Sequence, residues 1–391
     1  MKHTVCAITG SRAEYGLLYP LLSRLSNDSG IRLQLVVTGS HLDSTFGDTQ
    51  CEIQGSGLTI HERIPIPLDG DSKASIAKAA GAALYSFADY FAGNRPELLI
   101  LLGDRYEIFA AAAAASLQGI PIAHLYGGET TAGAVDEFLR HSITKMSLLH
   151  LTACERYRRR VIQLGEAPER VFAVGALGVE NCLNTELMPL SELQESVGYP
   201  LVGKPFSVVT FHPVTLEDNT TEAQLHELIC AIDAFPGMNY IITKANADPG
   251  GRAINRIWDA QSASRENWLL VSSLGRRRYL SALAYAEMVL GNSSSGIIEA
   301  PAMKTPTVNI GDRQSGRIMA ESILCCEPAA KDIISVMKKA LSPGFKAIVD
   351  TAVNPFGDGR TSQRIMDVIR AFLSGGPPAM KKAFYDIEVV L

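Results

Sequence analysis

Long apolar runs are missing from this sequence of 391 residues. No stretch reaches the roughly 18 apolar residues that a membrane-spanning helix needs. The opening Met1-Lys2-His3-Thr4 leads directly into a strand-like segment instead of an apolar leader. We therefore expect neither a membrane span nor a signal peptide, and we expect a cytosolic protein.

Paired cysteines and an excess of positive charge are missing as well. The seven cysteines are scattered and form no Cys-x-x-Cys pair, and the eight histidines show no His-x-x-His spacing. This pattern indicates reduced thiols and no structural metal. The formal net charge of −5 gives no general attraction for nucleic acid or for an anionic membrane. Any phosphate group must therefore be bound by a local site.

What the sequence does contain is a regular alternation of short apolar runs and amphipathic stretches. Its length suits two domains of about 150–200 residues each. Nearly continuous apolar strands separated by helices predict an α/β fold with parallel sheets covered on both faces. Strands are predicted at 4–9, 31–37, 98–102, 120–124, 171–174, 206–211, 240–243, 269–272, 288–291 and 307–310, and helices at 15–25, 110–117 and 361–374.

The segment 186–205 interrupts this alternation because it is rich in proline and glycine. It predicts a linker between an N-terminal domain, 1–185, and a C-terminal domain, 206–360. Two doubly wound, Rossmann-like domains in tandem predict a ligand in the cleft between the carboxyl ends of their strands. That layout suits an elongated ligand with two unlike ends.

Two glycine- and serine-containing turns are candidate anion sites. Thr9-Gly10-Ser11-Arg12 follows the first strand and opens a helix, and Arg12 adds a permanently charged donor group. An ordinary strand–helix turn with a solvated arginine is the alternative. Gly291-Asn292-Ser293-Ser294-Ser295-Gly296 also lies between a strand and a helix predicted at 297–303, with Glu299 one turn further on. Hydroxyls and free amides there suit a diphosphate, and Glu299 suits two ribose hydroxyls. The alternative is a serine N-cap with an acidic first turn.

Candidate acid–base residues lie in three adjacent loops of the first domain. Asp104 ends one strand, Glu129 follows the next, and Asp136 and Glu137 precede a helical pattern. Clustered carboxylates raise one another's pKa, which suits proton transfer near neutral pH. A helix cap is the alternative for Asp136. In the second domain, His212 lies at a strand's carboxyl end, and a structural histidine is its alternative.

Taken together, these segments resemble the UDP-N-acetylglucosamine 2-epimerase family, in particular its hydrolysing branch in sialic-acid-like sugar pathways. The resemblance runs in family order through the stretches 9–16, 37–42, 102–109, 127–129, 140–147, 211–215, 291–299 and 309–317. It implies a GT-B-like arrangement of two Rossmann-like domains with an interdomain active site. It also implies that a closing segment, 361–391, returns to the first domain.

The resemblance also implies roles for the site residues. Catalysis falls to Asp104, Glu129, Asp136 and His212, and binding of UDP and sugar falls to Arg12, Arg105, Asn246, Ser293, Ser294, Ser295, Gly296, Glu299 and Arg313. The implied reaction removes the proton on sugar C2 while UDP leaves C1, giving a 2-acetamidoglucal. Water then adds with inverted configuration at C2 and releases N-acetylmannosamine. Acid–base chemistry suffices, so no metal or redox cofactor is implied. Homodimers or homotetramers are usual in the family.

Tyr126 departs from the family pattern, because many relatives carry a carboxylate at this position. Either Glu129 takes over that role or Tyr126 fulfils part of it. The run Gly127-Gly128-Glu129-Thr130-Thr131 also resembles a sub-branch acting on UDP-2,4-diacetamido-2,4,6-trideoxyglucose, which leads to legionaminic acid. Three other functions stay open at this point: a non-hydrolysing epimerase, a GT-B glycosyltransferase and a non-catalytic UDP-sugar-binding regulator.

Overall fold

The computed structural model describes residues 2–44, 49–68, 70, 72–131, 135–214, 220–245 and 250–388. The chain divides into two compact units. The first comprises Met1–Glu129, Asp136–Asn181 and Phe356–Leu391, and the second comprises Thr130–Val135 and Cys182–Pro355. Within the described ranges, no helix combines the length and the apolar character needed to cross a membrane.

Strands and helices alternate along almost the whole chain. The strands are β1 His3–Thr9, β2 Ile31–Thr38, β3 Ile60–Ile64, β4 Leu98–Leu102, β5 Ile122–Leu125, β6 Leu149–Thr152, β7 Val171–Ala173, β8 Phe206–Thr210, β9 Asn239–Thr243, β10 Trp268–Val271, β11 Met288–Gly291, β12 Thr307–Ile310 and β13 Ile323–Cys326. The helices are α1 Arg12–Asn27, α2 Gln50–Gly55, α3 Lys73–Gly93, α4 Tyr106–Leu117, α5 Asp136–Met146, α6 Glu155–Gln163, α7 Leu177–Asn184, α8 Leu190–Val197, α9 Thr221–Asp233, α10 Gly251–Ser262, α11 Gly275–Tyr285, α12 Ser294–Ile298, α13 Ala330–Ala340, α14 Pro343–Thr351 and α15 Thr361–Ser374.

The first unit is built on a seven-stranded sheet in the order β3-β2-β1-β4-β5-β6-β7, with every neighbouring pair parallel. Its central strand β4 is buried along its whole length, as a strand covered on both faces must be. The alanine-rich helix α4 packs closely on this sheet and against α3, since small side chains permit a short separation. On α1, the stripe Leu18, Leu21, Leu22 and Leu25 is fully buried.

The second unit repeats this architecture with a six-stranded parallel sheet in the order β10-β9-β8-β11-β12-β13. Trp258 of α10 and Trp268 of β10 pack edge to face at 5.5 Å in its core. Both sheets therefore have the 3-2-1-4-5-6 order of a Rossmann-like domain. The fold class predicted from the sequence is confirmed.

Most strand predictions are confirmed to within two residues, but the polar edge strand β3, the strand β6 and the strand β13 were not predicted. The segment 186–205, interpreted as a linker, contains α8 and belongs to the second unit. Along the chain, the boundary between the units falls between Asn181 and Cys182, within α7. The predicted helix 361–374 is confirmed as α15, which belongs to the first unit. The arginine run 276–278 lies in the first turn of α11.

Candidate functional site

The strand order of each sheet reverses beside its first strand, at β1/β4 in the first unit and at β8/β11 in the second. Ligands of doubly wound sheets bind outside the carboxyl ends of the strands at this switch point. The loops that leave β1 and β4 carry Arg12 and Asp104, and those that leave β8 and β11 carry His212 and Ser293. The predicted site residues therefore lie at the edge of each sheet where ligand binding is expected.

The turn after β1 is shaped by close backbone approach. Ser11 caps α1 and accepts a hydrogen bond from the Glu14 N–H. A Cβ at Gly10 would lie 2.7 Å from the Glu107 side chain, and a Cβ at Gly39, whose φ is +59°, would lie 2.7 Å from the Gly10 carbonyl oxygen. Larger residues would push these loops apart. Arg12 is the first residue of α1, and burial lowers its pKa against an opposing effect of Glu52.

Arg105, predicted to bind substrate, has internal partners in the first unit. Its Nε donates to Glu107 Oε1 at 2.7 Å and lies 3.7 Å from Glu14 Oε1. Glu107 is fully buried and pairs with this arginine. The substrate contact of Arg105 stays a prediction. In the structure, the positive charge of Arg105 lies beside the buried carboxyl groups of Glu14 and Glu107.

The pKa of Glu14 is raised by its buried position beside Glu107. Burial, and then the charge of Glu107, raise the pKa of Glu14 to about 8, although Arg105 and the Gly10 N–H oppose the shift. A folded-state pKa above the ordinary 4.5 means that the folded protein binds the extra proton. The stability that this proton provides is present below pH 4.5 and is lost as the pH rises through about 8.

We expect Glu14→Gln to remove this pH dependence of stability, because glutamine has the shape of a neutral glutamic acid and can still accept from the Gly10 N–H. Urea unfolding at pH 5.5 and pH 8.5 measures the free energy of unfolding of both proteins. The free energy of unfolding of the wild type should fall relative to the variant at the higher pH. Glu155→Gln, at an exposed position of α6, is the control. Parallel pH profiles for wild type and Glu14→Gln would contradict the assignment.

Arg140 organises the acidic part of the first unit. This side chain of α5 is 1% exposed, and its Nε donates to Asp104 Oδ2 at 2.7 Å. One terminal nitrogen donates to Glu137 Oε2 at 2.7 Å and to the Glu129 carbonyl oxygen at 3.0 Å. Burial alone would lower the pKa of Arg140, but Asp104, Glu129 and Glu137 together raise it. The arginine is therefore permanently charged and fixes the Asp104 carboxylate in one orientation.

The remaining predicted acids are Glu129 and Asp136. Glu129 is buried, and Asp136 is the half-buried first residue of α5. Tyr126 has a φ of +67°, which is uncommon for a residue with a side chain, and its hydroxyl accepts a hydrogen bond from the Gly178 N–H at 3.3 Å. That contact gives the tyrosine hydroxyl a structural role.

Two buried histidines near these loops were not predicted. His124 contacts the Gly103 carbonyl oxygen through Nε2 at 2.8 Å and Thr144 Oγ1 through Nδ1 at 3.2 Å, which braces the turn that presents Asp104. Burial lowers the pKa of His124 to about 3 and that of His41 to about 4. Both rings are therefore neutral near pH 7. Their positions at or just after strand ends were the available sequence signal.

In the second unit, Asn292 ties the two switch-point loops together. Its side chain accepts from the His212 N–H at 2.7 Å and donates to the His212 carbonyl oxygen at 2.9 Å. Its own carbonyl oxygen accepts from Arg313 at 3.1 Å and from Gln314 at 2.8 Å. Gly291 permits this approach, because a Cβ there would lie 1.9 Å from the Thr210 carbonyl oxygen. His212 and Arg313 are thus brought to one asparagine. Neither Asn292 nor Gln314 was assigned a role from the sequence alone.

The serine turn begins α12 earlier than predicted. Ser293 is the N-cap and accepts from the Ser295 N–H, so Ser294, Ser295 and Gly296 form the first turn. Tyr279 of α11 donates to Ser295 Oγ at 2.7 Å, an unpredicted contact. Burial raises the pKa of Glu299 against a hydrogen bond from Ser295. The predicted residue Asn246 lies outside the described residues.

Comparison with known proteins identifies a family whose sequences are similar to this chain. The sequence profile of the family described as UDP-N-acetylglucosamine 2-epimerase matches residues 23–370. The polysialic acid biosynthesis protein P7 of Escherichia coli is 38% identical over 97% of this chain and 96% of its own length. The GDP/UDP-N,N'-diacetylbacillosamine 2-epimerase (hydrolyzing) of Campylobacter jejuni is 38% identical over 88% of this chain and 89% of its own length.

A solved structure is similar over most of the chain. The UDP-GlcNAc 2-epimerase of Neisseria meningitidis, bound to UDP-GlcNAc, superposes with a TM-score of 0.79 over 94% of this chain and 100% of its own. At 17% identity in that alignment, the likeness shows the shared fold.

Proposed function

The chain belongs to the UDP-N-acetylglucosamine 2-epimerase family, and we propose that it is a hydrolysing 2-epimerase that converts UDP-GlcNAc and water into N-acetylmannosamine and UDP. The observation that carries this proposal is the Asp104 carboxylate, held by the buried Arg140 beside Glu129 and Glu137. A regulator that only binds a sugar does not require a fixed cluster of acid–base groups at a strand end. A glycosyltransferase would require an acceptor surface, for which the sequence offers no argument.

The second unit suits the nucleotide. Ser293, Ser294, Ser295 and Gly296 offer hydroxyl groups and main-chain N–H groups at the carboxyl edge of the sheet, where a diphosphate is well accommodated. Glu299, at the end of the same short helix, is assigned to the ribose hydroxyls. Arg313 is held beside Asn292 and, with Arg12 and His212, is assigned to the charge that develops on departing UDP.

Asp104, Glu129 and Asp136 are assigned to proton transfer at sugar C2 and to activation of water. The C2 proton passes to a carboxylate as the C1–oxygen bond breaks, so the electron pair forms the double bond of a 2-acetamidoglucal and UDP leaves with the bonding pair. Water then adds to C1, and a proton adds to C2 from the opposite face. Glu129 is favoured over Tyr126 as the base because the tyrosine hydroxyl contacts α7.

A second substrate is kept because of one relative. The Campylobacter jejuni protein is named for N,N'-diacetylbacillosamine, the 2,4-diacetamido-2,4,6-trideoxy sugar. The same elimination and hydration would act on that sugar, since C4 and C6 do not react. We propose it as the alternative substrate, leading to legionaminic acid.

The proposal also covers the oligomeric state and the cellular location of the protein. We propose a homodimer or homotetramer, which light scattering of the purified protein would measure, and a cytosolic location, where UDP-sugars are made. Neither the elimination of UDP nor the addition of water requires a metal or a redox cofactor in the proposed reaction.

NMR of the protein with each UDP-sugar in deuterated water tests the function. Release of UDP with a free manno-configured sugar that carries deuterium at C2 is expected, and the faster substrate identifies the pathway. UDP-ManNAc as the product would instead indicate a non-hydrolysing epimerase. Tight UDP binding without turnover of either sugar would favour a regulator or a transferase.

Glu299→Gln is expected to weaken UDP binding roughly 10- to 100-fold, because an amide N–H group replaces one of the two carboxyl oxygens proposed to accept from the ribose hydroxyls. Isothermal titration with UDP and with 2',3'-dideoxy-UDP separates this effect from a general one. The variant should bind the dideoxy analogue as the wild type does. Glu287→Gln, at a half-buried position of the second unit, is the control. An equal loss for both ligands would remove Glu299 from the ribose site.

A further inference from the structure

The chain after α15 runs back over the first unit without forming a helix or strand in its described part. Residues 382–385, called the strap below, make specific contacts there. The Lys382 ammonium donates to the Lys145 and Ser147 carbonyl oxygens, both at 2.8 Å, and lies 2.6 Å from Glu166 Oε2. An ammonium has three N–H donors, and these three acceptors match them.

The acceptors show what Lys382 does to α5. A helix leaves its last carbonyl groups without intrahelical partners. At the end of α5, Ser147 Oγ donates to the Ile143 carbonyl oxygen and the Ser147 N–H donates to that of Thr144. Lys382 supplies the donor for Lys145, and its positive charge is favourable at this end of the helix dipole. The C-terminal end of α5 is thus completed by a residue distant in sequence.

Glu166 anchors the strap from the other side. Its carboxylate is 1% exposed and pairs with Lys145 Nζ at 2.6 Å and with His150 Nε2 at 2.9 Å. Burial alone would raise the pKa of Glu166, but His150, Lys145 and Lys382 lower it to about 2. The carboxylate is therefore charged near pH 7, where it pairs with Lys382.

Phe384 and Tyr385 fasten the strap to the turn before Glu166. The Tyr385 N–H donates to the Gly165 carbonyl oxygen at 2.9 Å. Gly165 has a φ of +86°, and a Cβ there would lie 2.3 Å from the Phe384 ring. The Lys145 ammonium lies 4.9 Å from the centre of the same ring. The strap therefore contacts α5 through both a charged and an aromatic residue.

The N-terminal half of α5 carries Asp136, Glu137 and the buried Arg140, whose guanidinium donates to Asp104. Arg140 is five residues from Lys145, about 7.5 Å along the helix axis. We propose that Lys382 is a positioning residue for the proposed reaction: by fixing the C-terminal end of α5, it sets the position of Arg140 and, through it, of Asp104. The part that concerns catalysis rests on the proposed function.

Lys382→Ala, Lys382→Arg and Lys381→Ala in the full chain test this inference. Lys381 is the exposed neighbour of Lys382 and serves as the matched control. Lys382→Ala should lower kcat about tenfold with KM within twofold, because substrate binding persists while the acid cluster shifts. Lys382→Arg keeps the charge and should recover most of kcat, and Lys381→Ala should match the wild type. Amide hydrogen exchange of residues 143–147 should become faster only in Lys382→Ala.

Unchanged exchange in Lys382→Ala would overturn the hold of the strap on α5. Unchanged kcat, or an equal loss in Lys381→Ala, would overturn the positioning role. A wild-type protein without turnover of any UDP-sugar would instead defeat the proposed function, and the exchange comparison would still decide whether Lys382 secures α5.

Discussion

Asp104→Asn is expected to lower kcat by about 10³-fold while the affinity for UDP stays within about threefold of the wild type. Asparagine keeps the shape of the side chain but removes the charge that Arg140 orients. It also cannot accept a proton from sugar C2 or activate water. UDP affinity should persist because the proposed nucleotide residues Ser293 and Glu299 belong to the second unit.

Steady-state release of UDP and isothermal titration with UDP measure the two quantities. Asp89→Asn makes the same chemical change on the exposed face of α3 and should leave both unchanged. Turnover of Asp104→Asn within tenfold of the wild type would remove Asp104 from the mechanism. A parallel collapse of UDP affinity would instead indicate a structural defect that reaches the proposed nucleotide-binding residues.

The sequence predicted the sheets well where strands are buried on both faces. β4 is a continuous apolar run and β8 is buried along its whole length, because helices cover both sides of a parallel sheet. β3 was missed because it is an edge strand with three exposed polar residues, so its pattern resembles a loop. β6 was missed because its buried His150 is satisfied by Glu166, a contact that no local pattern indicates.

For the candidate site, the sequence predicted the positions of the residues along the chain but not their pairing in space. The positions of Arg12, Asp104, His212 and Ser293 after their strands follow from chain order alone, since carboxyl ends of parallel strands share one edge. Which arginine meets which acid does not follow. Arg105 is next to Asp104 in sequence, yet it pairs with Glu107, while Asp104 pairs with Arg140 from α5. That choice depends on how α5 packs.

Arg140→Met is the second large effect that we expect. Methionine fills part of the space but leaves Asp104 and Glu137 without the cation that neutralises them. Removing one partner of a buried ionic cluster costs about 3–5 kcal/mol, so the free energy of unfolding should fall by about that amount at pH 7. Turnover should fall at least as far as in Asp104→Asn. Urea unfolding and UDP release measure the two effects.

Arg159→Met, whose side chain is 78% exposed on α6, is the matched control and should change the free energy of unfolding by less than about 0.5 kcal/mol. The double variant Asp104→Asn/Arg140→Met makes the test sharper. Neutralising Asp104 removes part of the uncompensated charge, so the double variant should be more stable than Arg140→Met alone, while activity stays lost. Strictly additive destabilisation would contradict the Asp104–Arg140 pairing, and recovered activity would contradict the role given to Asp104.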